Sequence, residues 1–375
     1  MTDTSKTKSV MPTVPVWDVF VRIFHWALVG SVGTALATGL FLLPSALELH
    51  IASAIVAAVL VFLRIVWGFT GTGYARFRSF VFSPAAIAAH SLSLMKGTSK
   101  RFIGHNPLGG TMILALIAVI AVLTVTGTLV LGGMFKTGPL AFGIDYSFGN
   151  QALELHEVLA YLLSALIAAH VGGVIFETLH NKDPLVPAMF SGRKPSREDD
   201  VIAPPRRALR GTMIVVSTIG LALTWTAVNV GTRQPIPNMP VSQIDTLVED
   251  ECTACHILFH PSLMPAEKWD RMMLGLDDHF GEDASLDPQD TAEIRDWLMD
   301  HAAGNVDTRA AHVLAFGMKD SELSLSGSES WRLIHEDLND SVFENPKVRS
   351  KSNCSACHRD AEEGLFNPLN LKLPK

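Results

Sequence analysis

Five apolar runs, at about residues 22–43, 50–70, 108–131, 153–178 and 211–230, constrain this chain more than any other feature. Each is close to the ~20 residues that an α-helix needs to cross the hydrocarbon core of a bilayer. A helix satisfies its backbone donors and acceptors internally, so five such runs predict a helical membrane bundle. Beyond residue 231 no run is long enough to span. Short apolar stretches there are broken by Pro, Gly and Asp, which predicts a water-soluble, loop-rich, mainly α domain. A mean hydropathy of +0.27 and a 48% hydrophobic composition are too apolar for an ordinary soluble protein of this length. The first run contains Ala35-Leu36-Ala37, the small-x-small pattern of a cleaved signal. Its apolar stretch exceeds the ~7–15 residues of a signal core, so the expectation is a retained helix.

Charge divides the chain at the same place. Residues 1–230 carry 17 Lys/Arg against 11 Asp/Glu, whereas residues 231–375 carry 13 against 26. Loop charge also sets an orientation. The N-terminal tail holds Lys6, Lys8 and Arg22. The 71–107 loop holds Arg76, Arg78, Lys96, Lys100 and Arg101 with no acidic residue, and the 179–210 loop holds seven Lys/Arg. The 44–49 turn has none, and 132–152 has only Lys136. Basic loops stay in the cytoplasm. The N-terminus is therefore expected inside, and five crossings put the acidic tail outside.

All four cysteines lie in that tail, as Cys252-Thr-Ala-Cys255-His256 and Cys354-Ser-Ala-Cys357-His358. C-x-x-C-H is the attachment pattern of c-type haem: two thiols add to the two vinyl groups, and the adjacent histidine becomes the proximal iron ligand. A zinc site or a redox dithiol are the other chemistries that such cysteines allow. Two copies that use every cysteine favour haem. Covalent attachment takes place outside the bacterial cytoplasmic membrane, where loop charge alone puts this tail. The sixth iron ligand is expected to be His279 at one site and His335 at the other. His301, His312, Met264 and Met318 are the other candidates. His260, four residues after His256, is expected on the proximal side and thus not a ligand.

Ionisable residues inside a membrane are costly and mark functional sites. The spanning runs hold His25, His50, His156 and His170. His156 and His170 are fourteen residues apart, which returns a helix to within roughly 40° and separates the rings by roughly 21 Å along its axis. They are too far apart to share one metal and face the same way. Depth pairs His50 with His156 and His25 with His170, the pattern of two bis-histidine b-type haems, one above the other. Arg64, fourteen residues after His50, reaches the inner depth, where it either pairs with a haem propionate or snorkels to the interface. Thr38-Gly39 and Thr126-Gly127 place small residues at the outer level, to admit a porphyrin face or to pack helices closely. His90, His105 and His180 fall in cytoplasmic loops.

The segments WDVFVRIFHW (17–26), LRIVWGFTG (63–71) and GHNPLGG (104–110), with the His156/His170 pair, resemble the bacterial cytochrome b561 family over about residues 14–180. That family includes the cytochrome b subunits of nickel-iron hydrogenases and respiratory formate dehydrogenase. CTACH, HPSLMPAEKW (260–269), GLDDHFGEDASL (275–286) and NCSACHRDAEEGLF (353–366) resemble the soluble dihaem cytochromes c over about 245–370. The first resemblance implies two b-haems on His25, His50, His156 and His170, electron exchange with quinone, and a quinone pocket near His105 and Asn106.

The expected fold is an all-α membrane protein: a five-span bundle with a four-helix b-haem core, then a soluble dihaem cytochrome c domain. The expected layout is a cytoplasmic N-tail (1–21), a di-b-haem membrane domain (22–180), a basic cytoplasmic loop (181–210), a fifth span (211–230) and a periplasmic dihaem domain (231–375). The expected function is electron transfer in the bacterial inner membrane between the quinone pool and a periplasmic redox protein, in the sense of quinol oxidation. The tail's acidity suits a basic soluble cytochrome as that partner. Other readings are an electron-relay subunit of a periplasmic dehydrogenase complex, and a superoxide- or gas-reactive haem protein. Beyond membrane lipid no further partner class is expected: no motif for nucleic acid, nickel, molybdenum, flavin or nucleotide is present.

Overall fold

A computed structural model describes residues 12–41, 46–197, 200, 202, 206–315 and 317–374. Lys6, Lys8 and the first two residues of the 44–49 turn lie outside the described residues. The chain forms two compact units. One comprises residues up to 126 with 154–226, and the other comprises 127–153 with 227–375.

The first unit is built on long apolar helices: α1 (Val19–Phe41), α2 (Leu47–Thr70), and the greater part of α4 (Pro107–Gly133), α5 (Tyr146–His180) and α7 (Arg210–Gly231). All five are long and apolar enough to cross a membrane. The sequence runs are thus recovered with ends shifted by a few residues, except α5, which starts seven residues earlier. Val32, Ala57, Val61, Ile120 and Leu163 form one buried cluster drawn from α1, α2, α4 and α5. Val29, Ile55, Val125, Val158, Ile214 and Trp225 point outward and exposed. That inversion, apolar on the outside as well as the inside, is what a lipid solvent permits. On α7, Gly220 faces Phe62 of α2 so closely that a Cβ would come within 2.4 Å of the ring.

The segments between spans are more structured than loops. The 71–107 stretch contains α3 (Pro84–Met95), capped by the Ser83 hydroxyl, which accepts from the Ala86 N–H. Beyond α5 come α6 (Leu185–Ser191) and strand β2 (Arg193–Pro195), which pairs antiparallel with β1 (Thr13–Pro15). The amides of Val16 and Trp17 both donate to the Gly192 carbonyl, and Gly192 has φ +78° with no room for a Cβ against Trp17. The basic 181–210 stretch is therefore partly interior. Lys194, 1% exposed, donates to Asp183 at 2.8 Å, and Arg101 bonds Asp183 at 2.7 Å and Asp200 at 2.6 Å.

The second unit contains the short helices α8 (Thr246–Cys252), α9 (Ala266–Met273), α10 (Pro288–Asp300), α11 (Glu329–Ile334) and α12 (Asp340–Phe343), joined by 3₁₀ turns and loops. Asp245, Asp287, Ser328 and Asn339 cap four of them. Its main apolar core includes Val248, Leu263, Trp269, Ile294, Leu298 and Trp331. Lys268 is buried there, and its ammonium donates to the carbonyls of Lys319, Asp320 and Glu322. Three carbonyl acceptors saturate an ammonium's three donors, so the charge is tolerated inside.

Burial opposes the Asp183 carboxylate, but hydrogen bonds and charge from Lys194 and Arg101 outweigh it and hold its pKa below 3.8. A depressed pKa contributes stability that is present above the unfolded value and is lost as pH falls through the folded one. Asp183→Asn leaves Lys194 and Arg101 short of their shared counter-charge. It should cost about 3–5 kcal/mol in thermal unfolding of detergent-solubilised protein at pH 7, with the gap to wild type closing at acid pH. A loss below about 1 kcal/mol would make the network equivalent to a surface ion pair.

Candidate haem-binding sites

His50 and His156, expected to pair by depth, lie close together. Their ring centres are 6.2 Å apart. Metal–imidazole bonds of about 2.0 Å, with each nitrogen about 1.1 Å from its ring centre, put two rings on opposite sides of one iron about 6 Å apart. Local hydrogen bonds also set the tautomers. The Thr126 hydroxyl donates to the Leu123 carbonyl at 3.1 Å, so at 2.9 Å from His156 Nδ1 it can only accept. His50 Nδ1 lies 2.9 Å from the Ala35 carbonyl, which accepts from it. Both imidazoles thus carry the proton on Nδ1 and leave Nε2 bare, the state of a metal-ligating histidine. Gly39 lets α1 pack closely on α2. A Cβ there would lie 3.0 Å from His50 Cε1, so the glycine makes room for the imidazole itself.

At the other end of the spans, His25 lies on α1 and His170 on α5. His25 Nδ1 is buried without a hydrogen-bond partner. Arg64 is 3% exposed, with its guanidinium 5.6 Å and 5.5 Å from the ring centres of Phe77 and Phe80. It does not snorkel: its NH1 is buried and unpartnered. An orphaned guanidinium N–H, buried against the Phe80 ring that also packs on His105, suits an anionic group such as a haem propionate. His105 is packed between Trp17 at 4.6 Å and Phe80 at 4.9 Å, with Nδ1 unpartnered. Burial, reinforced by Arg64, Lys194 and His170, pushes its imidazole down to about 3. Asn106 caps α4 by accepting from the Gly109 amide, and it donates to Glu177 at 2.6 Å. His90 is buried on α3, and His180 ends α5.

In the second unit the C-x-x-C-H histidines each face one other histidine. His256 and His279 have ring centres 6.1 Å apart, and His335 and His358 are 6.3 Å apart. Both match the spacing across one iron. His256 Nδ1 donates to the Ile257 carbonyl and His335 Nδ1 to the Trp331 carbonyl, again leaving Nε2 bare. Burial, with the charges of His335 and Arg309, pushes the His358 pKa down and favours its neutral form, despite the opposing pull of Asp360. Cys252, Cys255, Cys354 and Cys357 form no disulfide. Among the described residues, no three His, Cys, Asp or Glu side chains gather as a metal cluster, whereas structural zinc takes four donors.

The other candidates are placed elsewhere. His260 and His256 do not share a helix, because α8 ends at Cys252; His260 is instead buried, with Nδ1 against Ser262 and Nε2 against the Val241 carbonyl. His301 stacks on Trp297, and His312 bonds Asp307. Met264 and Met318 sit in the apolar core. Asp18 was missed by sequence reasoning: one carboxylate oxygen caps α1, and the other accepts from Trp67 and Thr72. The Trp-Asp pair just before the first apolar run was its only signal.

Residues 16–192 match the family model described as prokaryotic cytochrome b561, and residues 248–366 match that of dihaem cytochrome c. The chain is a cytochrome b561 domain followed by a dihaem cytochrome c domain. Its relatives include the probable Ni/Fe-hydrogenase B-type cytochrome subunits of Bradyrhizobium diazoefficiens, 23% identical over 217 residues (50% of this chain, 88% of that protein), and of Rhodobacter capsulatus, 23% identical over 226 residues (50% and 84%). Among solved structures, the diheme cytochrome c from Rhodobacter sphaeroides is 38% identical, covering 34% of this chain and 99% of that one, with a TM-score of 0.29. The protein is therefore an integral bacterial membrane b-type cytochrome with a dihaem c domain, working in electron transfer with haem b and haem c.

Gly39→Ala tests the outer pair. The added methyl must displace the His50 ring from its place opposite His156. Purified variant should lose one b-type spectral component while its covalently bound haem stays unchanged. An unaltered b spectrum would show that the ring position at Gly39 is immaterial.

Proposed function

We propose that this cytochrome b561–dihaem cytochrome c chain is a tetrahaem protein of the bacterial inner membrane that moves electrons from the quinol pool to a periplasmic acceptor. The reading rests on one observation above all: three pairs of imidazoles with centres 6.1–6.3 Å apart. His50 and His156 are taken as ligands of one b-haem, His25 and His170 of the second, His256 and His279 of the first c-haem, and His358 and His335 of the second. The four cysteines are the thioether donors. Haem held at these positions supplies reversible one-electron chemistry at iron. Paired histidines leave no open coordination position, which favours electron transfer over reaction with oxygen, superoxide or carbon monoxide.

The N-terminus is assigned to the cytoplasm and the dihaem domain to the periplasm, on the positive-inside distribution of loop charge. The quinone site is assigned to the region of His105 and Asn106. Quinol oxidation releases two protons with two electrons, so that site needs a hydrogen-bonding group and a proton acceptor. His105, neutral at physiological pH, offers an unused Nδ1. Glu177, held by Asn106 and Asn181, is the carboxylate placed to take a proton. Arg64 is taken to hold a haem propionate beside this site. The acceptor is taken to be a soluble redox protein, and the excess of Asp and Glu after residue 231 favours a basic one.

His170→Ala separates the parts. The variant should keep both covalent haems, lose half of its extractable haem, and fail to reduce its c-type bands with a quinol analogue while dithionite still reduces them. Retention of both b-type components, or undiminished quinol-driven reduction, would contradict the assignment.

A further inference from the structure

The second unit includes the chain that joins α4 to α5, and this connection is fastened to the dihaem domain by a polar clamp. Lys136, at φ +49°, turns inward until its side chain is 6% exposed. Its ammonium pairs with Asp307 at 2.5 Å and donates to the Ile144 carbonyl at 3.1 Å. Asp307 also accepts from the Tyr146 amide at 3.0 Å. The His312 ring bonds Asp307 through Nε2 at 3.0 Å and stacks on the Tyr146 ring, with centres 4.4 Å apart and planes 13° from parallel. A residue of the dihaem domain thus caps the first turn of α5 and neutralises the lysine of the loop. A cleft of about 100 Å³ at this seam is lined by Met134, Phe135, Lys136, Thr308, Arg309 and Asn367, so polar contacts rather than dense apolar packing hold it.

The same connection bonds the segment that follows the second C-x-x-C-H. Asn367 donates to the Phe135 carbonyl at 2.9 Å. The preceding residue, Phe366, lies with its ring centre 5.1 Å from that of His358. Asp360, two residues after His358, accepts from the Asn367 amide and the Asn370 side chain. The first site differs: Cys255 and His256 are exposed, as are Leu274 and Phe280 near His279, among Glu249, Asp250, Glu251, Asp277, Asp278, Glu282 and Asp283. Along α5, His156 follows Tyr146 by ten residues, or about 15 Å of helix.

We propose that the second c-type site, held by His335 and His358, is where electrons cross between the b-type sites and the dihaem domain, and that Asp307 is the positioning residue that keeps the α4–α5 connection on it. The first site is then the outlet to the soluble acceptor. This rests on the tetrahaem reading above. The exchange is of one electron: iron(II) at a b-type site becomes iron(III) as iron(III) at the second c-type site becomes iron(II), with no bond made or broken and no proton carried.

The test uses full-length protein with its haems in place. His335→Met first marks the second c component, because replacing an imidazole by a thioether raises its potential. Asp307→Asn is then compared with the Asp307→Asn/Lys136→Met double variant, which leaves neither charge buried alone and so retains the fold. In spectroscopic redox titrations both variants should keep two covalent haems, shift the marked component and leave the other c component unmoved. Hydrogen exchange over 134–146 should rise, and b-to-c electron transfer should slow about tenfold or more. The proposal is overturned if the marked component and the transfer rate stay unchanged in the double variant, or if the unmarked component moves instead. A wild-type chain with no b-type haem would overturn the tetrahaem reading as well, and haem analysis of the same preparation shows that separately.

Discussion

An imidazole set among apolar helices costs free energy unless both its nitrogens are occupied. This chain meets that cost in the same way at several places. One nitrogen donates to a carbonyl or hydroxyl from a nearby turn, and the other is turned toward a second histidine about 6 Å away. Ala35 and Thr126 do this for His50 and His156, Ile257 for His256, and Trp331 for His335. The bundle and the dihaem domain share no architecture, yet both place imidazoles in pairs with ring centres about 6 Å apart. The helices, caps and glycines around those pairs are the means of holding ring positions. Gly39, which leaves space for an imidazole, and Asp18, which ties α1 to Trp67 and Thr72, are two examples.

Much of this was legible in the sequence because it follows from periodicity and composition. Five apolar runs near twenty residues, a fourteen-residue histidine spacing and two C-x-x-C-H motifs are local patterns, and each maps directly onto an element. The ends were less legible. α5 begins at Tyr146 rather than near 153: Asp145 caps it by accepting from the Phe148 amide, a local signal, and its first amide, that of Tyr146, is met by Asp307, more than 150 residues away and invisible in local pattern. The basic 181–210 stretch reads as a solvated loop, but Lys194 is interior because Asp183 and Arg101 meet it there. Neither contact leaves a trace in local pattern.

The histidines illustrate the same division. His279 and His335 are expected because each lies in a setting that could be helical and far enough from its C-x-x-C-H to come round to the open face, and their ring centres lie 6.1 Å from that of His256 and 6.3 Å from that of His358. His260, four residues after His256, is expected on the proximal side and so not as a ligand. The structure sets it apart for another reason: both ring nitrogens are already engaged in a buried turn. Arg64 could not be resolved from sequence, because burial against snorkelling depends on how Phe77 and Phe80 fold back over it.

The central claim is that eight histidines and four cysteines hold two extractable and two covalent haems. Pyridine haemochrome analysis before and after acid-acetone extraction tests it most directly. The account predicts four haems per chain, with about half of the total remaining on the polypeptide after extraction. A total of two, or a covalent share far from one half, would contradict it.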